Sequence, residues 1–114
     1  MKRTHPRKRS AALEQAQDAY QRRAWRTAYA RFAQADRNRP LETCDLEAFA
    51  MSSYMLGRDE KYLGTLERAH HAHLEGGDEL RAARCAFWIG LRQMFRGQKA
   101  QASGWFQRAQ RLIA

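Results

Sequence analysis

The sequence predicts an all-α fold made of paired helices, and three observations support this prediction. Helix-forming residues dominate the 114-residue chain, whereas Val is absent and Ile is rare, so few residues favour strands. Apolar residues recur at helical spacing in six segments that short turns separate. Hydrophobic residues make up 44% of the chain, which suffices for one domain with its own core and excludes a wholly disordered chain.

The first two helices have clear boundaries in the sequence. Ser10 is a suitable N-cap for a helix over residues 11–22, since its hydroxyl can accept a hydrogen bond from an unpaired backbone N–H. A second helix over residues 25–38 should end ahead of Pro40, because proline disfavours helical backbone in the residue before it. We therefore predict a disordered basic arm over residues 1–10 and a folded domain over residues 11–114.

Glycines and short polar residues mark the remaining four helices. The predicted ends of the third, fourth and fifth helices lie at Gly57, at Gly76–Gly77 and near Gly97. Short polar side chains favour helix starts, and the predicted starts lie at Thr43 or Asp45, at Asp59 and at Asp78. The sixth helix should cover about residues 98–113. The sequence thus predicts six helices joined by short turns.

The chain repeats itself, first after 34 residues and then after 40. The turns within successive helix pairs align at Arg23, Gly57 and Gly97. Downstream of each turn, three side chains recur at matching positions, mostly in the order small, large, small. They are Ala28, Phe32 and Ala35, then Tyr62, Leu66 and Ala69, then Ala102, Phe106 and Ala109. We therefore predict three equivalent two-helix units, with Phe32, Leu66 and Phe106 buried at corresponding positions.

This pattern resembles the tetratricopeptide repeat (TPR), a two-helix unit of 34 residues. The segment AYARFAQADRNRP (residues 28–40) matches the TPR signature A-x3-F-x2-A-x4-P, and Ile89–Gly90 fits the large–small pair of its first helix. The resemblance covers about residues 11–114. It implies three units stacked as a short right-handed α-solenoid, which acts as a scaffold for protein binding.

Three further segments carry a narrower resemblance, namely YMLGRDE (54–60), LERAHHAHLEGGD (66–78) and ARCAFWIGLRQMFRGQ (83–98). They are similar to the N-terminal TPR region of large LuxR-type bacterial transcriptional regulators. This resemblance implies a role in bacterial regulation or signalling. Those regulators usually continue into a helix-turn-helix domain, which we do not expect within these 114 residues.

The first helix of each unit would line the concave surface of such a solenoid. The side chains that the alignment places there are rich in Met and aromatic residues, which suit an apolar helix or an extended peptide. They are Leu13, Gln17, Tyr20 and Gln21, then Glu47, Met51, Tyr54 and Met55, then Arg84, Phe87, Leu91, Met94 and Phe95. We predict a groove for a protein or peptide partner, although some of these side chains could instead belong to the core.

The formal net charge of +9 leaves a second function open. Residues 1–10 carry +5 and residues 81–114 carry +7, whereas residues 41–80 carry −6. The basic arm could hold phosphates through Lys2, Arg3, Arg7, Lys8 and Arg9. The alternative to protein binding is thus a nucleic-acid-associated regulator that uses this arm and the basic C-terminal helices.

Three of the four histidines lie within the segment RAHHAH (residues 68–73). A metal site needs three or four converging ligands, whereas one helix supplies two good ones and the HExxH motif is absent. A pH-responsive contact is another alternative. Imidazoles near a helix C-terminus interact favourably with its dipole, so we predict a solvated helix end that binds no metal.

Catalytic and cofactor-binding motifs are absent, which predicts a non-enzymatic protein without a cofactor. Cys44 and Cys85 have no CxxC spacing and are expected to be reduced, mostly buried thiols. No apolar run follows the basic N-terminus as in a signal peptide, and none has the length of a membrane span, so we predict a cytoplasmic protein.

The sixth helix predicts self-association. Its apolar side chains exceed what one stripe against a partner helix can cover, and they are Trp105, Phe106, Leu112 and Ile113. Terminal repeats normally need a polar outer face, so an uncovered apolar face favours pairing with a second copy. A homodimer is the commonest outcome of such pairing.

Overall fold

The computed structural model describes residues 10–114, and this part of the chain contains six α-helices and no strand. The helices are α1 (Ala11–Gln21), α2 (Trp25–Asn38), α3 (Thr43–Met55), α4 (Asp59–Glu75), α5 (Glu79–Phe95) and α6 (Lys99–Ile113). Each helix packs against the next one along the chain, and α1 also touches α3. The predicted all-α class and the six predicted helices are therefore confirmed. Except for Ser10, the predicted basic arm lies outside the described residues.

Ser10 and Asp78 cap their helices as predicted, whereas α3 and α4 begin at Thr43 and Asp59 themselves and have no side-chain N-cap. Ser10 Oγ accepts a hydrogen bond from the backbone N–H of Leu13 at 3.0 Å, and Asp78 caps α5 in the same way. Neither Thr43 nor Asp45 caps α3, because the helix already begins at Thr43. Asp45 is buried and accepts a hydrogen bond from Gln17 Nε2 at 2.9 Å, so its carboxylate joins α1 to α3 instead.

Four of the interhelical turns in residues 10–114 share one backbone geometry. Each contains a residue with a positive φ angle, at Arg23, Gly57, Gly77 and Gly97. Two backbone hydrogen bonds, one inside the other, close each turn. In the α3–α4 turn, Gly57 N–H donates to Tyr54 O and Arg58 N–H donates to Ser53 O. Arg23, Gly57 and Gly97, which the sequence aligns, thus share a turn geometry, and Gly77 between α4 and α5 has it as well.

Among residues 10–114, Arg23 is the one non-glycine residue in this left-handed conformation, and its φ angle is 60°. A Cβ atom makes that conformation unfavourable by roughly 1–2 kcal/mol, although glycine loses more chain entropy on folding. We expect Arg23→Gly to raise the free energy of unfolding by about 1 kcal/mol in urea denaturation. Arg22→Gly is the matched control, because Arg22 has a negative φ of −86° and should gain nothing. An Arg23→Gly variant no more stable than the parent would contradict the turn geometry.

The small residues of the predicted repeat are buried between helices, namely Ala28, Ala35, Ala69, Ala102 and Ala109. Phe32 is fully buried and lies between the rings of Tyr20 and Phe49, with centroid distances of 6.4 and 6.0 Å. Leu66 is also buried, as predicted. The prediction for Phe106 is wrong, because its side chain is only half-buried. Among residues 10–114, α6 packs mainly against α5, which covers one side of the Phe106 ring.

Helices α5 and α6 approach closely at Gly90. A Cβ atom added there would lie 2.8 Å from two ring carbons of Phe106 and 3.2 Å from the carbonyl oxygen of Ala102. This contact half-buries Phe106, and Trp105 and Leu112 are half-buried as well. The outer face of α6 is thus less apolar than the sequence predicted. Of the four apolar side chains predicted there, only Ile113 is exposed. Among residues 10–114, no helix has both the length and the apolar character to cross a bilayer.

Candidate functional site

A groove lies between α3 and α5, with α4 behind it, and is called the α3–α5 groove below. One stripe of α3 forms the first wall, at the helical spacing of Glu47, Ala50, Met51 and Tyr54. The opposite wall consists of Arg84, Cys85, Trp88, Leu91, Arg92 and Phe95 of α5. Tyr62 and Leu66 of α4 complete the lining, and the groove has a volume of about 390 Å³.

Polar contacts hold α3 and α5 side by side at both ends of the groove. Near the start of both helices, Arg84 Nη2 donates to Glu47 Oε1 at 3.0 Å. Near their ends, the Arg92 guanidinium lies over the Tyr54 ring at 5.7 Å and pairs with both oxygens of Asp59 at 2.8 and 3.0 Å. Since early residues face early residues, α3 and α5 run in the same direction. The helical rise from Arg84 to Arg92, eight positions along α5, gives the groove a length of about 12 Å.

Several side chains that the sequence assigned to the concave surface do line this groove, and several do not. Glu47, Met51, Tyr54, Arg84, Leu91 and Phe95 lie together there. Tyr20 instead packs against Trp25 and Phe32 in the first helix pair. The Phe87 ring packs against Phe106 of α6, while the lining includes its neighbour Trp88, which the sequence analysis did not assign to the groove. Met55 and Met94 are exposed outside the lining.

Glu47 is also the centre of a polar cluster, called the Glu47 cluster, which it forms with His73, Arg84 and Cys85. His73 Nε2 lies 2.6 Å from Glu47 Oε2, and a carboxylate oxygen can only accept, so Nε2 is the donor. The Cys85 thiol donates to the same oxygen across 3.9 Å. Burial of the thiol, followed by the charge of Glu47, raises the pKa of Cys85 to about 12. The sequence missed this cluster because its members come from three different helices.

The structure contradicts the prediction that RAHHAH is a solvated helix end. His70 and His73 are buried and only His71 is exposed, because α5 packs along the extended end of α4. His70 Nδ1 donates to the carbonyl oxygen of Ala82 at 2.8 Å, and its ring stands edge-on to Trp105. The other ring nitrogen, Nε2, is buried without a hydrogen-bond partner. Cys44 also differs from its prediction, because it is exposed whereas Cys85 is buried.

His70 should make folding stability depend on pH below neutrality. Burial, together with the nearby His71 and Arg108, lowers the pKa of His70 from its ordinary value of 6.5. The unfolded chain then takes up a proton at a higher pH than the folded chain does. Stability should therefore be unaffected by His70 above pH 6.5 and fall as the pH drops below that value.

Urea denaturation at neutral pH and near pH 5 would measure this effect. His70→Asn keeps a donor for the Ala82 carbonyl but cannot titrate, so it should lose less stability than the parent between the two conditions. His71→Asn is the matched control at the exposed neighbour and should keep the dependence of the parent. Equal losses in the parent and in His70→Asn would show that protonation of His70 does not lower the free energy of unfolding.

The cations of α5 are largely occupied by acidic neighbours. Arg84 pairs with Glu47, Arg92 with Asp59, and Arg96 with Glu60 at 3.5 Å. Near the start of α5, Arg81 pairs with Asp78 at 3.5 Å. The basic stretch over residues 81–114 therefore presents less unpaired positive charge than its sequence indicates. The arm cations Lys2, Arg3, Arg7, Lys8 and Arg9 lie outside the described residues.

Comparison with known proteins gives no match, whether the chain is set against protein-family models, curated proteins or solved structures. The function of the chain is therefore inferred from the α3–α5 groove and the Glu47 cluster.

Proposed function

We propose that the chain is a TPR-like protein-interaction module, which holds a short apolar segment of a partner protein in the α3–α5 groove. The observation that carries the proposal is the lining of this groove. Met51, Tyr54, Trp88 and Phe95 are all exposed, yet they lie side by side on a concave surface. Clustered, exposed Met and aromatic side chains in a groove are typical of peptide-binding surfaces.

The proposed solenoid has support from the repeated features of the chain. The turns at Arg23, Gly57 and Gly97 share one geometry, and the small residues downstream of them are buried. The order of contacts along the chain, in which each helix packs on the next, suits units that stack one after another. In such a stack the first helices of the units form the concave side, which is where α3 and α5 face the groove.

The dimensions and charge of the groove indicate the chemistry of the partner. A length of about 12 Å accommodates two turns of helix or about four residues of extended chain. Arg84 stands at one end with half of its side chain exposed, and residues 81–114 contain no acidic residue. We therefore propose an apolar or aromatic segment next to an acidic residue as the preferred ligand.

The ion pairs of Arg92 with Asp59 and of Arg96 with Glu60 favour a protein partner over nucleic acid, because they leave fewer cations free to hold phosphates. We further propose a role in bacterial regulation or signalling, and this part of the proposal depends only on the sequence resemblance to LuxR-type regulators. Self-association through α6 stays a prediction, with Ile113 as the side chain to test.

A library of random peptides, displayed on phage and selected against the full chain, tests the proposed function. We expect selected peptides to contain an apolar pair near an acidic residue and to bind in solution, as measured by fluorescence anisotropy. Met51→Glu places a charge in the groove and should weaken binding more than about tenfold, which corresponds to about 1.4 kcal/mol. Selection of no peptide above background would contradict the proposal.

Met94→Glu is the matched control for Met51→Glu. The two methionines are exposed to nearly the same extent, 42% for Met51 and 44% for Met94, but only Met51 lines the groove. Binding to Met94→Glu should stay within about twofold of the parent, since the site is not touched. Equal losses in both variants would point to a general effect of charge. Light scattering of the parent and of Met51→Glu would reveal whether a second copy occupies the groove.

A further inference from the structure

We propose that Glu47, His73 and Cys85 form a binding site for one zinc ion, with a fourth coordination position open to a water molecule or a ligand. The site does not require a bound peptide, although two of its ligands, Glu47 and Cys85, also line the α3–α5 groove. The sequence predicted no metal, because the helix that carries RAHHAH supplies too few ligands on its own. The three residues come from α3, α4 and α5, and only the packing of these helices brings them together.

The geometry of the donor atoms supports the proposal. Glu47 Oε2, His73 Nε2 and Cys85 Sγ all lie within 4.8 Å of one another. Zinc bonds of about 2.0–2.3 Å in a tetrahedron separate donors by roughly 3.3–3.7 Å. The 2.6 Å contact between His73 and Glu47 would lengthen, and the 3.9 Å contact between Cys85 and Glu47 would shorten. Small side-chain shifts would therefore bring all three atoms into coordination distance.

Arg84 would hold the carboxylate in place while the metal binds. Its Nη2 donates to Glu47 Oε1 at 3.0 Å and lies 3.3 Å from Oε2. The carboxylate can thus keep Arg84 on Oε1 and present Oε2 to the ion. Hydrogen bonds of this kind to a ligating carboxylate orient it and are common around metal sites.

The cluster is accessible from two sides, which provides a route for the ion. Glu47 and Cys85 line the α3–α5 groove. Glu47 and His73 also line a second cavity, formed with residues at the start of α3 and with Arg81. The donors therefore lie between the two openings, and the fourth position of a tetrahedral ion can face either one.

The set of one nitrogen, one sulfur and one oxygen donor suits zinc, which accepts all three types. On binding, the Cys85 thiol becomes a thiolate and its proton passes to the buffer. The proton that His73 Nε2 donates to Glu47 in the metal-free chain must also leave that nitrogen. The neutral ring then carries its one proton on Nδ1 and offers the lone pair of Nε2 to the ion. Glu47 contributes one negative charge, so two anionic ligands balance the charge of the divalent ion.

Cobalt(II) titration of the Cys44→Ser chain tests the site. Cys44 is exposed, and the sequence contains only two cysteines, so Cys85 is the single remaining thiol. Chains stripped of metal by dialysis against a chelator would receive Co²⁺ and then Zn²⁺. We expect thiolate-to-cobalt charge-transfer absorption and tetrahedral visible bands that saturate at one equivalent and disappear as zinc displaces cobalt. Absence of charge-transfer absorption in this variant would overturn the proposal.

The histidine variants identify the nitrogen ligand. His73→Gln should weaken zinc binding by more than about tenfold in calorimetric titration, because it removes a ligand. His71→Gln is the matched control on the same helix and should bind zinc like the parent. Equal binding by both variants would show that His73 is not a ligand and would overturn the proposal. A greater loss in His71→Gln would do the same and would place the metal at the exposed pair His71 and Glu67.

Discussion

Replacing Phe32 by Ala should lower the free energy of unfolding by about 3–5 kcal/mol, which is a large part of the stability of a domain this size. The side chain has 0% of its surface exposed, and its ring packs between Tyr20 of α1 and Phe49 of α3. Truncation would leave a cavity where three helices meet, since α2 carries Phe32 between the other two. Urea denaturation followed by circular dichroism measures the change.

Two further phenylalanines serve as controls for Phe32. Phe106 occupies the corresponding position of the third helix pair but is half-buried, so Phe106→Ala should cost clearly less than Phe32→Ala. Phe95 is 72% exposed, and its truncation should change stability by no more than about 0.5 kcal/mol. Similar losses at Phe32 and Phe95 would contradict the core described here.

The second large effect is expected at Gly90. A methyl group there would meet the Phe106 ring at 2.8 Å and the Ala102 carbonyl oxygen at 3.2 Å. The ring can move toward solvent, whereas the carbonyl belongs to the backbone of α6, so the two helices must separate slightly. Such overpacking typically costs about 1–3 kcal/mol. Gly90→Ala should therefore destabilise the chain, although alanine is the better helix former.

Gly64→Ala is the matched control for Gly90→Ala. Gly64 also lies inside a helix, but an added Cβ would meet no atom within 4 Å. The substitution should raise the free energy of unfolding by up to about 1 kcal/mol through helix propensity. The two glycine variants should thus change stability in opposite directions. If Gly90→Ala were also stabilising, the close approach of α5 and α6 at this point would be wrong.

The helices and their turns could be predicted because local chemistry determines them. Helical spacing of apolar residues and glycines at the ends located all six helices of the described chain. Arg23 is informative, since nothing in its own chemistry favours a left-handed backbone, and only its alignment with Gly57 and Gly97 indicated the turn. Periodicity therefore predicted the position of the turn, and the structure adds its left-handed backbone conformation.

The environment of individual side chains was harder to predict, because it depends on which helix lies opposite. The RAHHAH histidines lie toward the end of a predicted helix, yet α5 covers two of them and the Ala82 carbonyl accepts from His70. Phe87 and Trp88 are adjacent, so a helix turns them about 100° apart, and a small difference in helix rotation decides which one faces the groove. Likewise, the repeat pattern predicted a buried Phe106, but the packing of α5 against α6 leaves its side chain half-buried.

Methyl NMR on the chain labelled at methionine tests the central claim most directly. The sequence contains four methionines, and Met51 and Met94 have similar exposure on different surfaces. On titration with a selected peptide, the Met51 methyl resonance should shift in proportion to the bound fraction, while the Met94 resonance should stay in place. A saturating peptide that shifts Met94 and leaves Met51 unchanged would show that the partner binds elsewhere than in the α3–α5 groove.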